Sequence, residues 1–392
     1  MLRRGWRCVC VLLVVLCCTS CRGLIMTPLQ TTDAPTASTV ATTAPPSPDA
    51  GTVPPTVPAW IGGTLSATAL LDSGVGIVDC TDANYSYYEM VEDLAQLENY
   101  YPTHFSYRTI GRSVLGREIY VGVLGNPAAK RQIVVSAAIH AREHMTAMLT
   151  MKQLEFYLAY YEVGDYAGQS FAALFEDCCF YVVPMTNPDG VMLSQEGISS
   201  VNNAAVRSRL ESIYYSDKKS GRTDEPTLES YLRVWKANAR GVDLNRNYDA
   251  GWSSYVGVSA PSASHYKGSS PASEPETEAM VGLIHSLSGI DAVLCIHSQG
   301  QVLYWNCGQE EPLQGETHAF ANAVSTVNGY KVITAQNNDA SLSDWAALKK
   351  GVPSITVETG YGACPLPHEQ FLSIWRENFA LYAMSAAYFA LR

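Results

Sequence analysis

Three apolar, β-branched runs, each closed by a residue able to do chemistry, constrain this chain's fold more than any other feature. QIVVSAAIH ends on His140, AVLCIHS carries His297 near its end, and PSITVET closes on Glu358 and Thr359. Short continuous apolar runs of this kind read as strands buried on both faces, which is how a parallel sheet covered by helices is written in sequence. EIYVGVLG and FYVVPMTN extend the series, and the stretch near residues 146–163 has an amphipathic helical pattern. The alternation predicts an α/β fold, one mixed sheet with helices on both faces. Open sheets of this class place ligands at the carboxyl ends of their strands. His140, His297 and Glu358 are therefore expected around one crevice.

Glu143 follows His140 by three residues, in HARE, on the segment that leaves the strand. One imidazole and one carboxylate so placed can reach a common ion. With His297 as third donor, the set of two histidines and one glutamate suits zinc and leaves a fourth position open for water. Each piece alone has a plainer reading. A lone His297 is a core histidine, a lone Glu358 a strand-end carboxylate, and Asn245 with Arg246 a turn followed by a solvated cation.

Together the pieces resemble the zinc carboxypeptidases of the carboxypeptidase A type. The matching motifs are HARE, NPDG at 187–190, GVDLNRNYDAGW at 241–252, IHS at 296–298, Asp344-Trp345 and VETG at 357–360. The resemblance spans residues 82–392 and implies a mostly parallel, eight-stranded-type mixed sheet holding one zinc ion through His140, Glu143 and His297. It further implies Glu358 as general base and Arg240 as the cation that polarises the scissile carbonyl. Asn245 and Arg246 would grip the substrate's terminal carboxylate, and Arg142 would contact substrate or support the ligands. The implied substrate is a peptide with a free C-terminal carboxylate.

Several positions depart from the family pattern. Gln336 stands where animal members carry a tyrosine that closes over substrate; Tyr330 and Tyr304 are the candidates to replace it. Ser343, at the base of the specificity pocket, is neither the apolar nor the acidic residue found in the two animal specificities. Gln299 replaces the tyrosine usual after Ser298. The form WKANARGVDLNRN resembles the bacterial branch, which includes peptidases that cut the γ-D-glutamyl bond to a diamino acid in cell-wall stem peptides. A small polar floor suits a zwitterionic diamino acid and also suits many ordinary side chains, so a general carboxypeptidase stays open as a second reading. A zinc amidase, or an inactive envelope binding protein, would be favoured by loss of Asn245, Arg246, Glu358 or a ligand, and none of these is lost.

The remaining sequence bounds context. Arg3, Arg4 and Arg7 precede an apolar stretch too short to span a bilayer, so residues 1–21 read as a signal peptide and the chain as exported. CTSC places Cys21 as in a bacterial lipoprotein cleavage site, the alternative being ordinary secretion. Residues 22–59, rich in Thr, Pro and Ala, predict a disordered linker reaching about 100 Å when extended. Residues 60–81 carry no assignment, and 82–392 form the catalytic domain. A net charge of −11 speaks against a nucleic-acid partner, any membrane contact is expected only through lipid at Cys21, and a monomer is expected. Eleven cysteines are present, five of them in the first 21 residues; the other six permit disulfides without choosing a pairing. Cys295 is expected to be a packed thiol. His144 is expected to support the site and not to ligate, since a fourth protein donor would displace water. The polar segment 199–231 reads as an irregular insertion over the crevice.

Overall fold

The computed structural model describes residues 76–82, 84–336 and 338–392. The expected signal peptide, the linker, Cys21 and most of the 60–81 lead-in lie outside the described residues.

Eight strands form one sheet in the order β1-β2-β6-β3-β7-β10-β8-β9: β1 Phe105–Arg112, β2 Glu118–Leu124, β3 Arg131–Ala137, β6 Cys178–Val183, β7 Ile290–His297, β8 Val302–Tyr304, β9 Lys331–Ile333 and β10 Ser354–Glu358. β4 Asp165–Tyr166 and β5 Gln169–Ser170 make a separate small ribbon. The centre, β6-β3-β7-β10, is parallel throughout. β1, β2 and β8 add antiparallel pairings toward the edges.

Both faces of the central strands are covered, which explains why they read as unbroken apolar runs. On β3, Ile133, Val135 and Ala137 enter one core and Val134 the other; on β7, Leu294 and Ile296 oppose Val293 and Cys295. The helices Met145–Ala159, Leu313–Asn328 and Leu381–Ala390 pack on the first face, and Pro275–Ser286 and Leu342–Lys350 on the second. The α/β expectation matches this mixed eight-stranded arrangement.

Two local readings need correction. The helix Met145–Ala159 is not amphipathic in use, because every residue from Met145 to Leu158 is buried. Its polar residues are covered by other chain segments. Glu155 accepts from the amides of Ile77 and Val78, Lys152 Nζ lies 2.8 Å from Glu155 and donates to Val78 O, and Gln153 donates to Asn378 O. The end of the unassigned lead-in is thus a lid over this polar stripe. The 199–231 segment is not irregular either: it forms the helices Ala204–Lys219 and Leu228–Arg233. Leu210, Ile213, Tyr214 and Tyr231 from these helices pack with fully buried Trp235 in a third core.

Candidate active site

The strand β3 stops at Ala137, earlier than the apolar run suggested. Ala138 turns the chain with φ +47°, His140 is extended, and Ala141–Glu143 form a short 3-10 turn. The turn is tied down from several sides: Ala138 N donates to Thr146 Oγ1, which donates to Glu143 O. Asn187 of the NPDG motif caps the helix Pro188–Glu196 through Gly190 N, and its Nδ2 joins Ile139 O to Ala237 O. That amide links the segment bearing His140 to the loop bearing Lys236.

His297 ends β7, and its parallel partner in register on β10 is Glu358. His140 Nδ1 lies 2.9 Å from Glu143 Oε1, and His297 Nδ1 lies 2.9 Å from Glu143 Oε2. All three residues are buried, and one donor atom from each falls within 4.8 Å of the others. This is the donor set and convergence that a single zinc ion requires. His140 Nε2 sits 3.2 Å from Asp243 Oδ1, and neither buried atom has any other partner among the described residues. Such a carboxylate behind the ring orients a ligand histidine and leaves Nδ1 free for metal.

The electrostatics follow from burial and from these neighbours. Burial alone would raise the Glu143 carboxyl, but His140 and His297 outweigh it and hold the group well below the usual range. Asp243 behaves likewise, with burial overcome by His140, Arg246 and Lys236. Glu358 goes the other way. Burial pushes it up to about 7, with Glu143 adding to the rise and His297 opposing it. A carboxyl poised there can both take and give a proton near neutrality.

A cleft of about 240 Å³ opens on this group, lined among others by His140, His297, Glu358, Lys236, Asn245 and Arg246. Asn245 Nδ2 approaches His297 Nε2 at 3.5 Å while its Oδ1 accepts from Leu342 N. Arg246 donates to Asn245 O at 2.7 Å, pairs with Asp339 at 3.4 Å and stands 5.3 Å from the Tyr255 ring centre. Ser343 also lines the cleft, its Oγ 3.1 Å from Ser341 Oγ and 3.2 Å from Thr356 Oγ1.

Two expected residues stand elsewhere. Arg240 is 43% exposed, with Nη1 3.4 Å from Glu274, and is not part of the cleft lining. The turn from Asn238 to Val242, with Gly241 at φ +78°, carries it outward. The cleft cation beside the ligand group is Lys236, whose Nζ is 3.9 Å from Glu143 Oε1. Lys236 is fixed through its backbone, donating to Ala263 O and accepting from Ala141 N, and its neighbour Trp235 is buried. Arg142 is half-buried outside the lining, its amide bonded to Trp235 O. Gln336 is exposed and not among the lining residues, and Tyr330 is buried with its hydroxyl on Glu377, so of the two aromatic candidates only Tyr304 lines the cleft. His144 is buried outside the ligand group. The six described cysteines, Cys295 included, are free thiols.

Sequence reasoning missed Lys236, Asp243 and the two residues, Ser354 and Thr356, that continue the polar face of β10 from the expected Glu358. That face had a visible signal, since its residues alternate with Ile355 and Val357. Nothing in the sequence distinguishes Lys236 from Arg240 as the inward cation.

Residues 90–381 match the zinc carboxypeptidase family. Gamma-D-glutamyl-L-diamino acid endopeptidase 1 of Lysinibacillus sphaericus is 32% identical over 302 residues, covering 76% of this chain and 71% of that protein. Carboxypeptidase A2 of Mus musculus is 27% identical over 326 residues, covering 76% and 69%. In fold, the chain is similar to bovine thrombin-activatable fibrinolysis inhibitor solved in complex with tick carboxypeptidase inhibitor, with a TM-score of 0.60 at 19% identity over 78% of this chain and 97% of that one. A family match across most of the described chain, with a buried two-histidine, one-glutamate ligand group at the carboxyl ends of its parallel strands, makes this chain a member of the zinc carboxypeptidase family.

Proposed function

We propose that this metallocarboxypeptidase releases the last residue of cell-wall stem peptides at the bond between γ-D-glutamate and a diamino acid. The observation that carries the reading is a single cleft in which the ligand group and Glu358 meet a carboxylate-binding pair, Asn245 and Arg246, and a polar floor. The name of the Lysinibacillus relative supports the substrate class.

Zinc bound by His140, Glu143 and His297 supplies Lewis acidity toward water and a carbonyl. Glu358 accepts the proton of the attacking water and returns it to the leaving amine. The Lys236 ammonium stands beside the position of the developing oxyanion, taking the role expected of Arg240. Arg246 and Asn245 hold the terminal carboxylate. Arg142 positions the ligand turn through its backbone bond to Trp235. Tyr304, at the cleft margin, covers the bound residue. Export by the N-terminal segment and attachment through lipid at Cys21, with the 22–59 linker as tether, would hold the enzyme at the cell envelope.

The test is digestion by the zinc-loaded protein of ordinary peptides and of stem peptides, read by mass spectrometry with a chelator control. Chelator-sensitive release confined to stem peptides is expected; release from ordinary peptides at comparable rates would make the enzyme a general carboxypeptidase.

A further inference from the structure

Outside the cleft lining stands a loop, residues 251–268, whose two arms meet at Val258 and Tyr266. Val258 N donates to His265 O at 3.1 Å. The arms lie so close that a Cβ on Gly257 would fall 2.1 Å from His265 O and 2.6 Å from the Tyr255 ring, so a side chain there would push them apart. His265 turns with φ +64°, a region that histidine enters more readily than most residues. Lys267 ties the base of the loop: its Nζ donates to Trp252 O at 2.7 Å and to Tyr255 O at 2.9 Å, and Trp252 Nε1 donates back to Lys267 O. Two contacts leave this loop for the catalytic machinery. The Arg246 guanidinium lies over the Tyr255 ring, 5.3 Å from its centre, and the Tyr255 hydroxyl is 3.0 Å from His265 Nδ1. His265 N donates at 2.9 Å to Asp243 Oδ2, whose other oxygen is 3.2 Å from His140 Nε2. The circuit closes where Arg246 N donates to Asp243 O at 2.9 Å. One carboxylate therefore fixes both the ring of a metal ligand and the loop whose tyrosine meets the guanidinium.

We infer that Tyr255, held by His265, is a positioning residue for the carboxylate grip: it keeps Arg246 in register with the zinc ligands, so that a free terminal carboxylate is favoured over an amide. This rests on the carboxypeptidase reading above and adds to it two residues outside the cleft lining. The other anchors of Arg246, Asn245 O on Nη1 and Asp339 3.4 Å from Nη2, each hold a single nitrogen. Such contacts still let a guanidinium swing. An aromatic ring against it removes that freedom without competing for the N–H donors that a carboxylate needs. A carboxylate takes two parallel N–H bonds from the arginine fork, so a guanidinium out of register forfeits one of them. An amide has one oxygen to accept with and loses less. The cost of a misplaced Arg246 therefore falls on the free acid.

The experiment uses the full zinc-loaded chain and two probe pairs, Ala-Ala-Ala and N-acetyl-γ-D-Glu-L-Lys, each as free acid and as C-terminal amide. Calorimetry in a Glu358→Gln background reads binding without turnover, and kinetics on the active chain give kcat and KM. Tyr255→Leu is expected to lower the acid-over-amide preference by about 3–30-fold in both readouts, through KM and not kcat, with zinc content unchanged. Tyr255→Phe keeps the ring and should lose about 2–3-fold. His265→Gly accepts the same backbone turn and should lose as much as Tyr255→Phe, and the double variant no more than either alone. Gly257→Ala leaves Tyr255, His265 and Arg246 in the chain, spreads the arms and should reproduce the Tyr255→Leu loss; it decides the matter if Tyr255→Leu does not fold. A preference within about 2-fold of the wild type in folded Tyr255→Leu or Gly257→Ala, or a loss of kcat shared equally by acid and amide, overturns the inference. No difference between acid and amide in the wild type overturns it together with the Arg246 grip. Acid-selective binding that weakens in Tyr255→Leu, without hydrolysis of any probe, supports the positioning role and sinks the carboxypeptidase substrate reading instead.

Discussion

Replacing Lys236 and Arg240 in turn separates the two cations that the chain offers to the scissile carbonyl. Lys236 Nζ stands 3.9 Å from Glu143 inside the cleft, and its side chain is 20% exposed. Arg240 is spent on Glu274 outside it. Loss of one well-placed donor to a developing oxyanion costs about 100- to 1,000-fold in kcat, or about 3–4 kcal/mol. Lys236→Met keeps the apolar stem and removes the charge, so kcat should fall by that factor with KM nearly unchanged. Lys236→Arg should recover part of the loss. The Lys236–Glu143 attraction also steadies a metal ligand, so zinc affinity should weaken up to about 10-fold, and assays at saturating zinc with measured metal content separate this from catalysis. Arg240→Ala removes a half-exposed pair and should leave kcat within about 3-fold. A 100-fold loss in Arg240→Ala, together with near-normal kcat in zinc-replete Lys236→Met, would refute the assignment.

Glu358→Gln should bind zinc normally, as measured by metal analysis, while losing about 100- to 10,000-fold in kcat; retained activity would remove Glu358 from proton transfer. Arg246→Lys replaces a planar fork by a point charge and should cost about 10–100-fold in kcat/KM. The same variant should discriminate less against C-terminally amidated peptides, which mass spectrometry of paired substrates can read. Burial raises Asp93 from 3.8 to about 7, with the Tyr85 hydroxyl donating to it at 2.6 Å. The folded state therefore holds this proton longer than the unfolded chain, and stability should fall between pH 4 and 7 by up to about 4 kcal/mol. Asp93→Asn keeps an acceptor for Tyr85, so its melting temperature should gain on the wild type as pH rises from 5 to 8, and a gain independent of pH would contradict the reading.

How much of this site was legible depends on whether a residue's role is set by its type or by its surroundings. His140, Glu143 and His297 were legible because few residue types ligate zinc and because unbroken apolar runs mark strands whose ends meet at one edge. The polar members of Met145–Ala159 misled because Lys152 and Glu155 look solvated by type, whereas the segment at Ile77 and Val78 buries them from 74 to 78 residues away in sequence. The same limit hid Lys236. Two cations four residues apart are equivalent by type, and what separates them is long-range: buried Trp235 and the bonds to Ala263 and Ala141 hold the Lys236 backbone beside the ligand turn, while Gly241 turns Arg240 toward Glu274. Asp344 is the sharpest case. Its cap over Leu342–Lys350 is readable from Ser341-x-x-Asp344 alone, and that sufficient local reason conceals that the same carboxylate lines the cleft beside Ser343 and Thr356. A residue whose local role is complete still has a face, and only the packing of β10 against this helix determines what that face meets.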